Sequence, residues 1–300
     1  MASERQLRAL VADLRGEIPG VLLCADQEGG SVDRFRAITG PSPDFARAAA
    51  RGEAGRAGAL AGEVCAAFSI AWDLAPVVDL GVAGAGARVL AGRTASGEAD
   101  GVVDAAAAFL EGLAAFGVAG CLKHFPGLGR AVVDSHLDLP RIAVDAGAFE
   151  KDLAPFRLLA GRAPAVMISH AATGGARLPA TLDRDVATDL LRGGAKFEGL
   201  AISDDLEMGA LADFGSVPER AAAAFEAGCD LLCVGKDTAA LPPAAAAIER
   251  KAPGSRRGEA DRRVGKFREE LGRLGAVRHS APRAVAAIAE AFHASCERLA

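Results

Sequence analysis

Tyrosine is absent from these 300 residues, tryptophan occurs once, and aromatic residues of all kinds make up 5%. A chain so poor in rings offers no stacking platform for single-stranded nucleic acid. Basic runs are missing as well: 34 Lys and Arg stand against 39 Asp and Glu, a formal net charge of −5, which argues against a nucleic-acid partner. No window approaches the roughly 18 to 20 unbroken apolar residues of a membrane span. The N-terminal stretch MASERQLRALVADLRGEIPG is charged throughout, so the expectation is a cytoplasmic protein with no membrane partner. No Pro/Ser-rich linker divides the chain. The six cysteines (Cys24, Cys65, Cys121, Cys229, Cys233, Cys296) are scattered through apolar segments and are expected to be buried free thiols. Cys229 and Cys233 lie in the run CDLLCVG with no nearby Cys or His pair to complete a tetrahedral zinc site, so no metal is expected.

What is present is apolar residue, 51% of the chain and largely alanine, enough for a substantial core and incompatible with global disorder. Short apolar runs alternate with longer helical patterns, the sequence form of repeated βα units around a parallel sheet. Strands are expected at Gly20 to Ala25, Ile70 to Val78, Val118 to Lys123, Ala165 to Ser169, Leu200 to Ser203 and Asp230 to Val234. They are short and apolar on both faces. Helices are expected near residues 43–67, 97–116, 147–161, 183–193 and 216–228, with residues 251–263 (KAPGSRRGEADRR) as an exposed loop. Polar residues gather where the strands end: Asp26 and Glu28, Asp79, Lys123 and His124, His170, then Asp204 and Asp205. In a barrel such ends converge on one pocket, whereas an open doubly wound sheet could not surround one ligand with all of them. The expected fold is an α/β (β/α)8 TIM-type barrel in one domain over 1–300, with motifs across 20–235 and C-terminal helices over 236–300.

Three segments carry candidate chemistry. In LLCADQEGGSVDRF, residues 22–35, Asp26 at a strand end either accepts hydrogen bonds from a polyol or caps the next turn, and Arg34 can close the same rim. In GCLKHFPGLGRAVVDSHLDLP, residues 120–140, Lys123 and His124 end a strand, and a Gly-rich loop then carries Asp134 and His136. A tight turn would set that carboxylate on the imidazole, raising its pKa and orienting it as a proton donor; an ordinary surface loop is the other reading. In GLAISDDLEMGAL, residues 199–211, one of Asp204 and Asp205 faces away from whatever the other faces. A carboxylate at a barrel strand end suits a nucleophile or a stabiliser of an oxocarbenium-like centre, while Asp205 reads as a helix cap. Gly81 to Gly86 lacks the spacing of either nucleotide fingerprint.

The segments CADQEGGSVDRF, WDLAPVVDLGV, CLKHFPGLGRAVVDSH, AVMISHAA, LPATL and GLAISDDLEM occur in an order that resembles glycoside hydrolase family 3, and most of all its NagZ-type β-N-acetylglucosaminidases. The resemblance implies a (β/α)8 barrel and retaining hydrolysis of terminal β-linked N-acetylglucosamine, often from peptidoglycan fragments. It implies Asp204 as nucleophile and His136 as general acid/base partnered by Asp134. Asp26, Arg34, Arg93, Lys123 and His124 match positions that hold the sugar, so a small-molecule carbohydrate is the expected partner and no cofactor is implied.

Three departures accompany the resemblance. Leu128, Arg130 and Ala131 take the His, Asp and Thr places of the family's Pro-Gly-His-Gly-Asp-Thr loop, and Ser31 replaces the Arg of Gly-Gly-Arg. The family also has an apolar strand before the first helix, inside which this chain begins: either the barrel lacks its first strand or the start lies upstream of Met1. Two other functions fit the same residues: a glycoside phosphorylase of the family, and a non-catalytic sugar-binding protein.

Overall fold

The computed structural model describes residues 3–82, 90–131, 139–142 and 146–299. All six expected runs form strands: β1 Cys24–Ala25, then β4 Trp72–Asp73, β5 Cys121–Phe125, β7 Ala165–Ile168, β9 Leu200–Asp205 and β10 Leu231–Cys233. Between and beside them lie four shorter ones: β2 Gln27–Gly29 and β3 Val32–Asp33, an antiparallel pair, and β6 Arg141–Ile142 with β8 Ala172–Thr173, a parallel pair. The six are parallel and follow one another in sequence order. Cys24 pairs with Trp72, single bridges join Trp72 to Ala119 and Val77 to Lys123, and continuous ladders run from β5 through β7 and β9 to β10. An order that never reverses is that of a TIM-like fold, not of a doubly wound sheet. No ladder joins β10 to β1 among the described residues.

Successive side chains on a strand point to opposite faces, and both faces here are buried. Leu122, Val166, Ile168 and Ala201 turn outward into the main core beneath the helices. Their alternates Cys121, Ala165, Met167, Leu200 and Ile202 turn inward and cluster with Trp72.

The helices are α1 Glu4–Glu17, the short α2 Arg36–Thr39 and α3 Phe45–Ala50, then α4 Ala54–Ala67, α5 Ala99–Ala115, α6 Ala146–Leu159, α7 Val217–Ala227, α8 Leu241–Lys251, α9 Gly254–Val277 and α10 Val285–Leu299. A π-helix at Asp185–Gly194 fills the place expected for a helix over 183–193. The stretch expected over 43–67 divides where Gly52 adopts φ +71°, between α3 and α4. Alanine and glycine let α4 and α5 meet backbone to backbone: a Cβ on Gly58 would stand 2.1 Å from the Phe109 carbonyl oxygen.

The expected exposed loop over 251–263 is corrected to helix. Pro253 stands at the N-cap of α9 and Gly254 begins it, positions where neither residue interrupts hydrogen bonding. Phe267, Leu271 and Leu274, spaced four and three apart, then form one apolar stripe that joins the inward-facing strand residues. Phe267 meets the edge of Trp72 with ring centroids 4.7 Å apart. Arg256, buried near the helix start, stacks over Phe225 and donates to the Phe225 and Cys229 carbonyls and to Asp230. The expectation of buried thiols is also corrected in part. All six are free, but Cys24 is exposed and Cys233 and Cys296 are half-buried.

Candidate active site

Each barrel strand hands its next polar residue to the same end of the sheet, and the residues gathered there bond to one another across long stretches of sequence. Lys123, on β5, is 2% exposed. Its ammonium meets Asp26 Oδ1 at 2.9 Å and Glu28 Oε1 at 2.5 Å. Arg93 grips the same Glu28 with two donors, Nε to Oε2 at 2.7 Å and Nη2 to Oε1 at 2.9 Å, the fork-to-fork geometry that makes such pairs rigid. Arg34 Nη2 reaches Asp26 Oδ2 at 3.4 Å from the rim.

Burial works to raise both carboxyls, yet Lys123 and Arg34 draw Asp26 down to about 2, and Lys123 and Arg93 draw Glu28 down to about 2. Burial likewise disfavours the Lys123 ammonium, but Glu28 and Asp26 hold it above the ordinary lysine range. Both carboxylates and the ammonium are therefore charged at neutral pH.

His124 follows Lys123 and is bonded on both ring nitrogens. Nδ1 lies 2.7 Å from Asp79 Oδ2 and Nε2 lies 3.2 Å from Arg93 Nη2. Arginine can only donate and a carboxylate only accept, so Nδ1–H donates to Asp79 and the unprotonated Nε2 accepts a hydrogen bond from Arg93. Asp79 is fully buried and also accepts from the backbone nitrogens of His124 at 3.2 Å and Leu128 at 2.6 Å, tying the ring to the start of the loop that follows.

Asp204 and Asp205 end β9 and separate as expected for neighbours. Asp205 Oδ1 accepts from the backbone of Glu207 and of Gly235, both at 3.0 Å, and so holds the turn. Asp204 Oδ1 accepts from the Asp205 nitrogen at 2.8 Å. Its charge acts on both Arg93 and His170, favouring their cationic forms. His170, fully buried, bonds through Nε2 to the Asp205 carbonyl at 2.8 Å and through Nδ1 to the Thr181 hydroxyl at 2.7 Å. Burial pushes its imidazole below the ordinary value against the pull of Asp204.

Asp26, Arg34, Arg93, Lys123 and His124 thus form one connected network, with Asp204 in its field. Asp134 and His136 lie outside the described residues. The loop leading to them carries the three replaced residues Leu128, Arg130 and Ala131, and each has a local setting. Leu128 and Ala131 are buried with Val77, Ile142 and Ala171, where His and Thr would each bury a polar group. Arg130 Nε bonds Asp152 Oδ2 at 3.0 Å, and burial raises the Asp152 carboxyl to about 6 despite that partner. Ser31 is exposed in the turn between β2 and β3.

Sequence reasoning named Glu28, Asp79 and His170 as strand-end groups without giving them a role, and passed over Gln27 and Asp73. For Glu28 a signal existed: it stands two residues from Asp26, the spacing that puts both on one face of an extended segment. Asp79 and Asp73 offered no such cue, because their partners lie 45 or more residues away.

Parallel strands in sequence order, with ionisable groups meeting at their C-terminal ends, define a TIM-like barrel enzyme. Its class follows from comparison with known proteins: residues 1–263 match the glycosyl hydrolase family 3 N-terminal domain, and the chain belongs to that family of glycoside hydrolases. The beta-hexosaminidase of Alkalilimnicola ehrlichii is 38% identical over 253 residues, which cover 80% of this chain and 72% of that one. A glycoside hydrolase family 3 beta-N-acetylglucosaminidase from Paenibacillus sp. superposes with a TM-score of 0.84 at 30% identity, over 98% of this chain and 61% of the Paenibacillus chain. NagZ from Neisseria gonorrhoeae, solved with N-trifluoroacetyl-D-glucosamine, superposes at 0.76 and 25% identity over 98% of this chain and 86% of its own. No helix among the described residues is long and apolar enough to cross a membrane.

Proposed function

We propose that this chain is a retaining exo-β-N-acetylglucosaminidase that removes terminal β-linked N-acetylglucosamine from peptidoglycan-type fragments in the cytoplasm. The single observation that supports it best is the Lys123 cage. An ammonium sealed against two carboxylates, flanked by the Arg93 to His124 contact, presents fixed donors and acceptors of the kind a pyranose needs to be held in one orientation. The names of the similar proteins point the same way.

In this reading Asp26, Arg34, Arg93, Lys123 and His124 hold the hydroxyls and the N-acetyl group. Asp204 attacks the anomeric carbon, forming a glycosyl ester as the bond to the leaving oxygen breaks, and His136 gives that oxygen a proton. His136, oriented by Asp134, then takes a proton from water, which attacks the same carbon and frees Asp204. Two inversions give net retention.

Release of the chromophore from an aryl N-acetyl-β-glucosaminide tests the reading. The expected result is turnover by the wild type and a loss of at least about a thousandfold in Asp204→Ala, the scale on which a covalent nucleophile acts. Equal rates for the two proteins refute it.

A further inference from the structure

Directly beneath the Lys123 cage lies an acid that the proposed mechanism does not use. Asp73 ends β4 and is wholly buried. Its Oδ1 accepts from the Gln27 backbone nitrogen at 2.9 Å, and Gln27 is the residue between Asp26 and Glu28. The Gln27 side chain continues the link, its Oε1 accepting from the Arg34 nitrogen at 3.0 Å. Asp73 therefore secures the backbone from which both carboxylates of the cage project. Its other oxygen, Oδ2, is sealed from solvent and has no hydrogen-bond partner among the described residues.

A carboxylate carries its charge on both oxygens, and a buried anionic oxygen without a donor is among the costliest groups a protein can hold. Protonating Oδ2 removes that charge and leaves Oδ1 free to go on accepting from Gln27. We propose that Asp73 is a positioning residue for the sugar-binding cage, that it works as a neutral carboxylic acid anchoring Gln27, and that its ionisation loosens the cage and so sets the upper pH limit of substrate binding.

The surroundings favour the neutral form. Among the described residues Asp26 and Glu28 face it from the segment above and Cys24 from β1, and Cys65 on α4 and Cys121 on β5 also interact with it. Lys123 is the cation that acts on it most among the described residues, and that ammonium is already bonded to Asp26 and Glu28. Burial pushes the Asp73 carboxyl up to about 8. An ionised Asp73 would repel the two cage carboxylates and compete for Lys123, turning the ammonium away from the groups that orient it. The loss falls on binding and not on the chemical step, because Asp73 touches neither the sugar nor the anomeric carbon.

The inference rests on the assignment of the cage to sugar binding, so its test includes a measurement that needs no turnover. Binding of N-acetylglucosamine is followed by calorimetry from pH 6 to 9.5, alongside KM and kcat for the aryl glycoside. For the wild type, Kd and KM are expected to rise about tenfold per pH unit once Asp73 ionises, as for any single-proton transition, while kcat stays level across the same step. In Asp73→Asn, whose amide oxygen still accepts from Gln27 but cannot ionise, that rise is expected to vanish. The same alkaline rise in wild type and variant overturns the proposal. If the chain binds the sugar but hydrolyses nothing, the hydrolase reading fails and the calorimetric profile still decides this one. Should Asp73→Asn not fold, carbon-13 NMR of aspartate-labelled wild type decides it: a carboxyl resonance titrating near pH 8 supports a neutral Asp73, and aspartates that all ionise below pH 7 overturn it.

Discussion

Lys123 shows how much one side chain can be asked to hold. A lone lysine in so dry a position would shed its proton, since desolvation works against the charged form. Here two carboxylates two residues apart compensate it, and each of those has an arginine of its own. Removing one member of a buried ion pair leaves the rest uncompensated, at a typical cost of about 3–5 kcal/mol. Lys123→Met is therefore expected to lower stability to urea by that amount and to raise KM for the aryl glycoside by more than tenfold; a loss under about 1 kcal/mol would mean that Arg34 and Arg93 suffice alone. That these residues gather at the strand ends was legible in the sequence, because ionisable groups after apolar strands are conspicuous. Which ones pair was not. Asp26 and Lys123 are separated by 97 residues, and Arg93 and Glu28 by 65, so only the closing of the fold decides that Glu28 and not Asp79 takes the arginine.

At the scale of elements, all six parallel strands could be read from their apolar runs, because a strand buried on both faces needs no alternation to be visible. The helix α9 could not. Its first turns carry Pro253, Gly254 and a cluster of charges, which locally spell a loop. Its reason to be helical lies at Phe267, Leu271 and Leu274, which face the inward side chains of distant strands. Tertiary burial, not propensity, makes this helix. Trp72 is the only tryptophan of the chain, and it sits against Phe267, so one fluorophore reports on this contact. Phe267→Ala is expected to destabilise the fold by about 3–5 kcal/mol. It should also expose Trp72 to acrylamide quenching before global unfolding, as α9 loosens from the strands. Unchanged quenching together with unchanged stability would show that α9 rests on the barrel without supporting it.

Over the whole molecule, the buried acids pull stability in opposite directions with pH, and the balance can be worked out from the sign of each shift. Asp26 and Glu28 sit at about 2 in the folded chain, below their unfolded values, so what they contribute is complete above about pH 4.5 and is lost as pH falls toward 2. Asp152 and Asp73 are raised, to about 6 and about 8. Above about pH 4 the unfolded chain releases these two protons while the folded chain keeps them, so stability declines as pH rises until each folded group ionises in turn. His170 opposes this: its imidazole is lowered, so it adds stability as pH climbs toward its unfolded value near 6.5. It offsets one of the two raised acids below that value, and above it Asp73 acts unopposed among these groups. The thermal midpoint is therefore expected to climb steeply from pH 2.5 to a maximum between about pH 4 and 5, then to fall gradually to pH 8. Calorimetric scans in buffers of constant ionic strength measure it. A midpoint that rises steadily from pH 5 to pH 8 would mean that Asp73 and Asp152 are ionised at neutrality, and that the charge balance around Lys123 is more negative than the geometry implies.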